Sequence, residues 1–148
     1  MLIGPQPDPA LLEPLRLLSN VTLKHHVGRA EVVAVLRNSD LCLVAHRRTA
    51  LTAAMSPLKL YEYLAAGCPT ISIDLPPVRG LGDRVLLVDA VSDFSDVVDD
   101  ALAAGPAHED DRIAFVRHNS WRARHETILS LHSTASPQAG SEPGRATR

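Results

Sequence analysis

The sequence predicts an α/β domain, a parallel sheet with flanking helices, and three observations carry that expectation. Segments rich in β-branched and apolar residues alternate with helical segments of about ten residues, the pattern of parallel strands joined by helical crossovers. One apolar segment, Asp40 to His46 (DLCLVAH), runs without polar alternation, as a strand covered on both faces does. The chain has 148 residues, 45% of them apolar, which suffices for one domain with its own core.

Element by element, Met1 to Ile3 followed by Gly4-Pro5 reads as the end of a strand entering a loop. Pro9 to Ser19 has apolar residues at helical spacing, with Asp8 as a cap and Pro14 as an interruption. Asn20 to His25 (NVTLKH) is a short strand, and Arg29 to Asn38 fits an amphipathic helix. After the Asp40–His46 strand and a loop, Ser56 to Gly67 is a helix. Ser56 is its expected N-cap, and Pro57 at the first helical position loses no hydrogen bond. Pro69 to Asp74 is a strand, Pro76 to Gly80 (PPVRG) a turn, and Asp83 to Asp89 another strand. Ser92 to Gly105 is a helix stopped by Gly-Pro, and residues 108 to 132 make one or two terminal helices, which Trp121 is expected to pack. From Ser133 the chain is rich in Ser, Pro, Gly and Ala without periodicity. The expected organisation is therefore a domain over 1–132 and a disordered tail over 133–148.

Composition narrows the function. A net charge of −2 gives no general field for nucleic acid or an anionic membrane, so an anion needs a local site. With 3% aromatic residues there is no stacking platform for single strands. Cys42 and Cys68 have no regular spacing, and no signal-peptide pattern precedes them, so free thiols in a reducing, cytoplasmic compartment are expected. No apolar stretch approaches the roughly 20 residues that span a bilayer. His25 and His26 have no Cys or carboxylate at ligand spacing, and no Asp-x-Asp pair occurs, so no metal or other cofactor is expected.

In parallel sheets ligands sit at the carboxyl ends of the strands. That places the loops after His46 and Asp74, and the start of the Ser56 helix, on the candidate binding face, with His46, Arg47 and Arg48 at the first of those loops. The free N–H groups of a helix start favour an anion, and Lys59 adds a full charge beside them. Glu62 follows Lys59 at i+3 on the same face, where a carboxylate accepts two hydroxyl hydrogen bonds. An anion followed by a diol describes a nucleotide. The same spacing also describes a plain solvated Lys-Glu face, and His46, Arg47 and Arg48 read equally as loop polar residues. Spacing alone leaves both open.

The stretch SPLKLYEYLAAGCP (Ser56 to Pro69), preceded by DLCLVAHRRTALTAAM and followed by TISIDLPPVRGLGDRVLLV, resembles the donor-binding half of retaining GT-B glycosyltransferases of the family 4 type. The likeness extends upstream through NVTLKHHVGRAEVVAVLRNSD and downstream to SWRAR, so it covers about residues 1–132. It implies a Rossmann-like sheet forming part of the C-terminal domain of a GT-B fold. It implies that Glu62 binds the ribose of a nucleotide-sugar donor, that Ser56, Pro57, Leu58 and Lys59 face the diphosphate, and that backbone at Val27 contacts the base. Family members commonly carry a glutamate near the sugar eight positions before Glu62, where this chain has Ala54. The resemblance assigns no catalytic residue, base, sugar or acceptor.

The resemblance further implies an acceptor domain, and a first strand with a basic Arg/Lys loop, upstream of Met1. In the strand order 3-2-1-4-5-6 that first strand is central. The remaining strands are then expected to leave a gap between LIG and DLCLVAH or to close up directly. The expectation is a truncated frame, a misassigned start or one piece of a split enzyme, inactive without a separately encoded N-terminal half and peripheral at the membrane by family analogy. The alternative is a noncatalytic nucleotide-binding module or a remnant. A generic dinucleotide protein ranks last, because Gly-x-Gly-x-x-Gly is missing.

Overall fold

The structure, a computed structural model, describes residues 1–6 and 8–134. Among them the strands are β1 (Leu2–Ile3), β2 (Leu23–Lys24), β3 (Cys42–Val44), β4 (Thr70–Ile73) and β5 (Val85–Val88). The α-helices are α1 (Glu13–Arg16), α2 (Arg29–Arg37), α3 (Ala50–Ala54), α4 (Leu58–Ala66), α5 (Val98–Ala104), α6 (Glu109–His118) and α7 (Trp121–Thr134). All strand pairings are parallel, and helices lie between the strands of the larger sheet, so the fold is α/β and Rossmann-like in layering.

The strands form two sheets. β1 pairs only with β2, and β3, β4 and β5 form a second sheet in chain order, with Cys42 opposite Thr70 and Thr70 opposite Val85. β1 and β3 do not pair, so of the two arrangements expected from the sequence the gap is the one observed. The core is centred on β4, whose four residues are all buried. Successive side chains of a strand point to opposite faces, so both faces of β4 are covered. Leu60 and Leu64 of α4, Ala101 of α5 and Phe94 pack into the same cluster as Ile71 and Ile73. Thr70 and Ser72, buried polar residues, donate to the Cys68 and Ile73 carbonyls at 3.3 and 3.0 Å.

Gly67 ends α4 at φ +87°, and the Cys68 N–H closes back on the Tyr63 carbonyl at 3.0 Å. Only glycine takes this φ freely. A Cβ here would also stand 2.7 Å from Cδ of Arg112, whose Nε donates to the Ala65 carbonyl at 3.1 Å and staples α6 to the end of α4.

Several expectations are corrected. β3 is covered on one face only: Leu43 is 52% exposed between buried Cys42 and Val44, because β3 is an edge strand. Pro57, not Ser56, occupies the cap of α4, and no side-chain cap bond is made there. The helix expected from Pro9 is a 3₁₀ turn (Pro9–Leu12), capped by Asp8 as expected, and then α1 with Pro14 in its first turn. Ser92 to Val97 likewise belongs to a 3₁₀ segment (Val91–Val97) ahead of α5. Trp121, expected to pack the terminal helix, makes its ring contact along that helix but stays mostly in solvent. It is 73% exposed at the start of α7, with its ring 6.1 Å from that of His125. Helix α7 runs to Thr134, two residues past the expected domain end, and the rest of the expected tail lies outside the described residues.

Candidate functional site

Because β3 and β4 are parallel, the chain leaving the carboxyl end of β3 must return before entering β4. Helix α4 makes that return, so its first turn stands at the carboxyl edge of the sheet. Pro57 is buried and its carbonyl accepts from the Leu60 N–H at 3.0 Å, which fixes the direction of the first turn. Leu58 is 70% exposed, and Ser56, Lys59 and Glu62 are exposed as well. Lys59 and Glu62 share a helix face, yet neither makes a hydrogen bond or ion pair with any described residue. The first two turns thus offer unpaired N–H groups, a free ammonium and a free carboxylate on one open surface.

The loop from β3 approaches the same edge. His46 is half-buried and Arg47 exposed. Thr49 and Thr52 cap α3 reciprocally, at 2.9 and 3.1 Å, and Thr52 Oγ1 also donates to the Arg47 carbonyl at 2.6 Å. Arg48 is already engaged: its Nη2 donates to Asp89, just past β5, at 2.7 Å. Arg79 grips Asp74, just past β4, with Nε and Nη2 each 2.7 Å from a carboxylate oxygen. That hydrogen bond from Arg79 is the main reason the Asp74 carboxyl is held below its usual range, with the nearby Arg79 and Arg48 charges adding to it. A cavity of about 460 Å³ opens among Arg48, Thr49, Ala53, Asp74, Pro76 and Arg79. A further cavity, about 580 Å³ between α6 and α7, touches no strand end and none of the expected donor-site residues.

The structure therefore brings Ser56, Pro57, Leu58, Lys59 and Glu62 to one helix start, and His46, Arg47 and Arg48 to the strand end that leads to it. Val27 is half-buried and follows β2 in the smaller sheet, where no hydrogen bond ties it to α4. The loop after Asp74 was expected on this face, but Asp74 itself, Arg79 and Asp89 were given no role from sequence. Their signal was present, two acidic residues each directly after a strand and an arginine in the following turn. Pro76–Val78 is the turn expected there, and Arg79 at its end holds Asp74. Among the described residues no group of three or more His, Cys, Asp or Glu stands where it could hold a metal. No described helix is long and apolar enough to cross a membrane.

The parallel sheet of Rossmann-like layering, with an open helix start at its carboxyl edge, is the α/β fold class expected from the sequence. The chain belongs to a glycosyl transferase-like family, whose model matches residues 2–136. No curated protein and no solved structure matches the chain.

Proposed function

We propose that this chain is the donor-binding half of a retaining GT-B glycosyltransferase of the family 4 type, taking a nucleotide diphosphate sugar at the first turn of α4. The observation that carries the reading is the pair of opposite charges without a side-chain partner on the first two turns of α4, Lys59 and Glu62, in a chain of the glycosyl transferase-like family. The α4 amides and Lys59 hold the diphosphate and stabilise it as it leaves. Glu62 accepts the two ribose hydroxyls, the backbone at Val27 meets the base, and His46 and Arg47 line the sugar side. Arg48 joins them only when it releases Asp89. Sugar transfer also needs an acceptor held against the donor, and that orientation supplies much of the rate. A separately supplied acceptor half, met in the cytoplasm or at the membrane surface, fills that role. The unpaired edges of β1 and β3 support such a partner, because each is free to pair with a further strand.

The test is thermal unfolding of the chain with uridine, guanosine and adenosine diphosphates, beside Glu62→Ala. One nucleotide is expected to raise the transition, by about 2.7 kcal/mol at a hundredfold excess over Kd, and the rise is expected to disappear in the variant. A cooperative transition that no nucleotide moves would overturn the donor-site reading. The split sheet also favours a second reading, a noncatalytic remnant, and absence of any cooperative transition would decide for it.

A further inference from the structure

Cys42 and Cys68 are the only cysteines in the sequence. Both are free and buried, at 8% and 2% exposure, and neither belongs to the proposed donor site. Backbone pairing sets them close. The Cys42 N–H donates to the Pro69 carbonyl at 2.9 Å, and Cys42 stands in register with Thr70. Cys68 precedes that partner by two residues, the spacing that returns a side chain to the same side of an extended chain. As a thiol, Cys68 donates to the Ser39 carbonyl at 3.3 Å.

The two thiols act on each other, and that interaction makes them unequal. It raises Cys42, with burial adding to the effect, and it lowers Cys68 against the opposing effect of burial. Cys68 is therefore the first to ionise. A nucleophilic sulfur beside a second thiol is the arrangement in which peroxide oxidation stops at a disulfide.

We propose that Cys42 and Cys68 form a reversible intramolecular disulfide when the chain meets a hydroperoxide. The Cys68 thiolate attacks one peroxide oxygen and the O–O bond breaks. Cys68 becomes a sulfenic acid, and the departing oxygen takes up a proton. The Cys42 sulfur then attacks Cys68 Sγ, the S–S bond forms and the S–O bond breaks. The hydroxide that leaves takes the Cys42 proton as water. Two electrons pass from the dithiol to the peroxide, and with hydrogen peroxide two waters result. A small dithiol reductant reverses the step by exchange. The crosslink joins the first residue of β3 to the exit of α4, closing a loop that contains His46 to Glu62. Oxidation thus restrains the chain segment that carries the candidate site.

The experiment treats the full chain with hydrogen peroxide, alkylates it and measures intact mass and peptide maps. The expected result is a monomer lighter by two hydrogens, with no alkylated thiol, a Cys42–Cys68 crosslinked peptide, a higher melting temperature, and full reversal by dithiothreitol. In Cys42→Ala the same dose is expected to leave Cys68 carrying one or more oxygens. Oxygen adducts on separate thiols of the unmodified chain, crosslinks between chains, or two thiols that still alkylate after treatment would each overturn the proposal. The wild-type peptide map decides it even where a variant fails to fold.

Discussion

Glu62 and Lys59 lie on one face of α4 but carry opposite charge, so the probe chosen separates their roles. A carboxylate that holds ribose hydroxyls acts on nucleoside and nucleotide alike. Glu62→Ala is therefore expected to weaken uridine and uridine diphosphate binding by the same factor if uridine is the base. The factor is about tenfold to a hundredfold, from about 1.5–3 kcal/mol for hydrogen bonds to a charged group. Lys59→Gln removes a charge from an exposed helix start, worth about 0.3–1 kcal/mol, and is expected to weaken the diphosphate by severalfold, flatten its salt dependence and spare the nucleoside. Calorimetry with both ligands at two salt concentrations distinguishes the cases, and equal losses for both ligands in both variants would remove the division of labour. Asp74 makes a separate prediction. Its folded pKa is depressed by Arg79, so the pairing contributes at neutral pH and is lost as pH falls through that lowered value. An NMR titration of the Asp74 carboxyl is expected to show a midpoint below the ordinary aspartate range, moving up in Arg79→Ala. An unchanged midpoint would mean that the grip does not persist in solution.

At the scale of elements, helix α4 depends on how it ends as much as on how it begins. Gly67 combines a left-handed φ with the close approach of Arg112. Gly67→Ala is thus expected to cost about 1–3 kcal/mol from backbone strain, and more if Arg112 must leave the Ala65 carbonyl. Chemical denaturation measures it, and a change under 0.5 kcal/mol would mean that the terminus relaxes freely. The helix and its Gly-Cys-Pro exit were legible, because periodicity and a terminal glycine are local signals, although the expected Ser56 cap is not the one formed. Leu43 was not, since an unbroken apolar run looks the same in a central strand as at an edge. Trp121 was expected to pack the terminal helix, and although its ring lies near that of His125, α7 leaves most of the side chain in solvent. The Arg48–Asp89 pair escaped notice for a related reason: it joins residues 41 positions apart, and only the alignment of parallel strand ends brings those loops together, whereas Asp74–Arg79 is local and its signal was present.

For the whole molecule, the decisive feature is where burial begins. Among the described residues none before Cys42 is buried, whereas every residue from Gly67 to Ile73 is. The smaller sheet has two strands of two residues each, below what holds on its own in water. The larger sheet instead carries the hydrophobic cluster around β4. Opening free energies should therefore differ along the chain. Amide exchange is expected to be slowest in β4, whose edges are both paired, and faster by orders of magnitude in β1 and β2. The donor reading adds a condition to that map. If Val27 meets the base while α4 holds the diphosphate, a nucleotide bridges the weak sheet and the strong one, and its binding energy must also order the segment from His25 to Arg29. Saturating nucleotide is then expected to slow exchange at 25–29 together with 57–62 and to leave β4 unchanged. Protection confined to α4 would place the base elsewhere, and protection of neither segment would deny the ligand this face altogether. A small sheet that exchanges as slowly as β4 without ligand would show that the two sheets already fold as one unit.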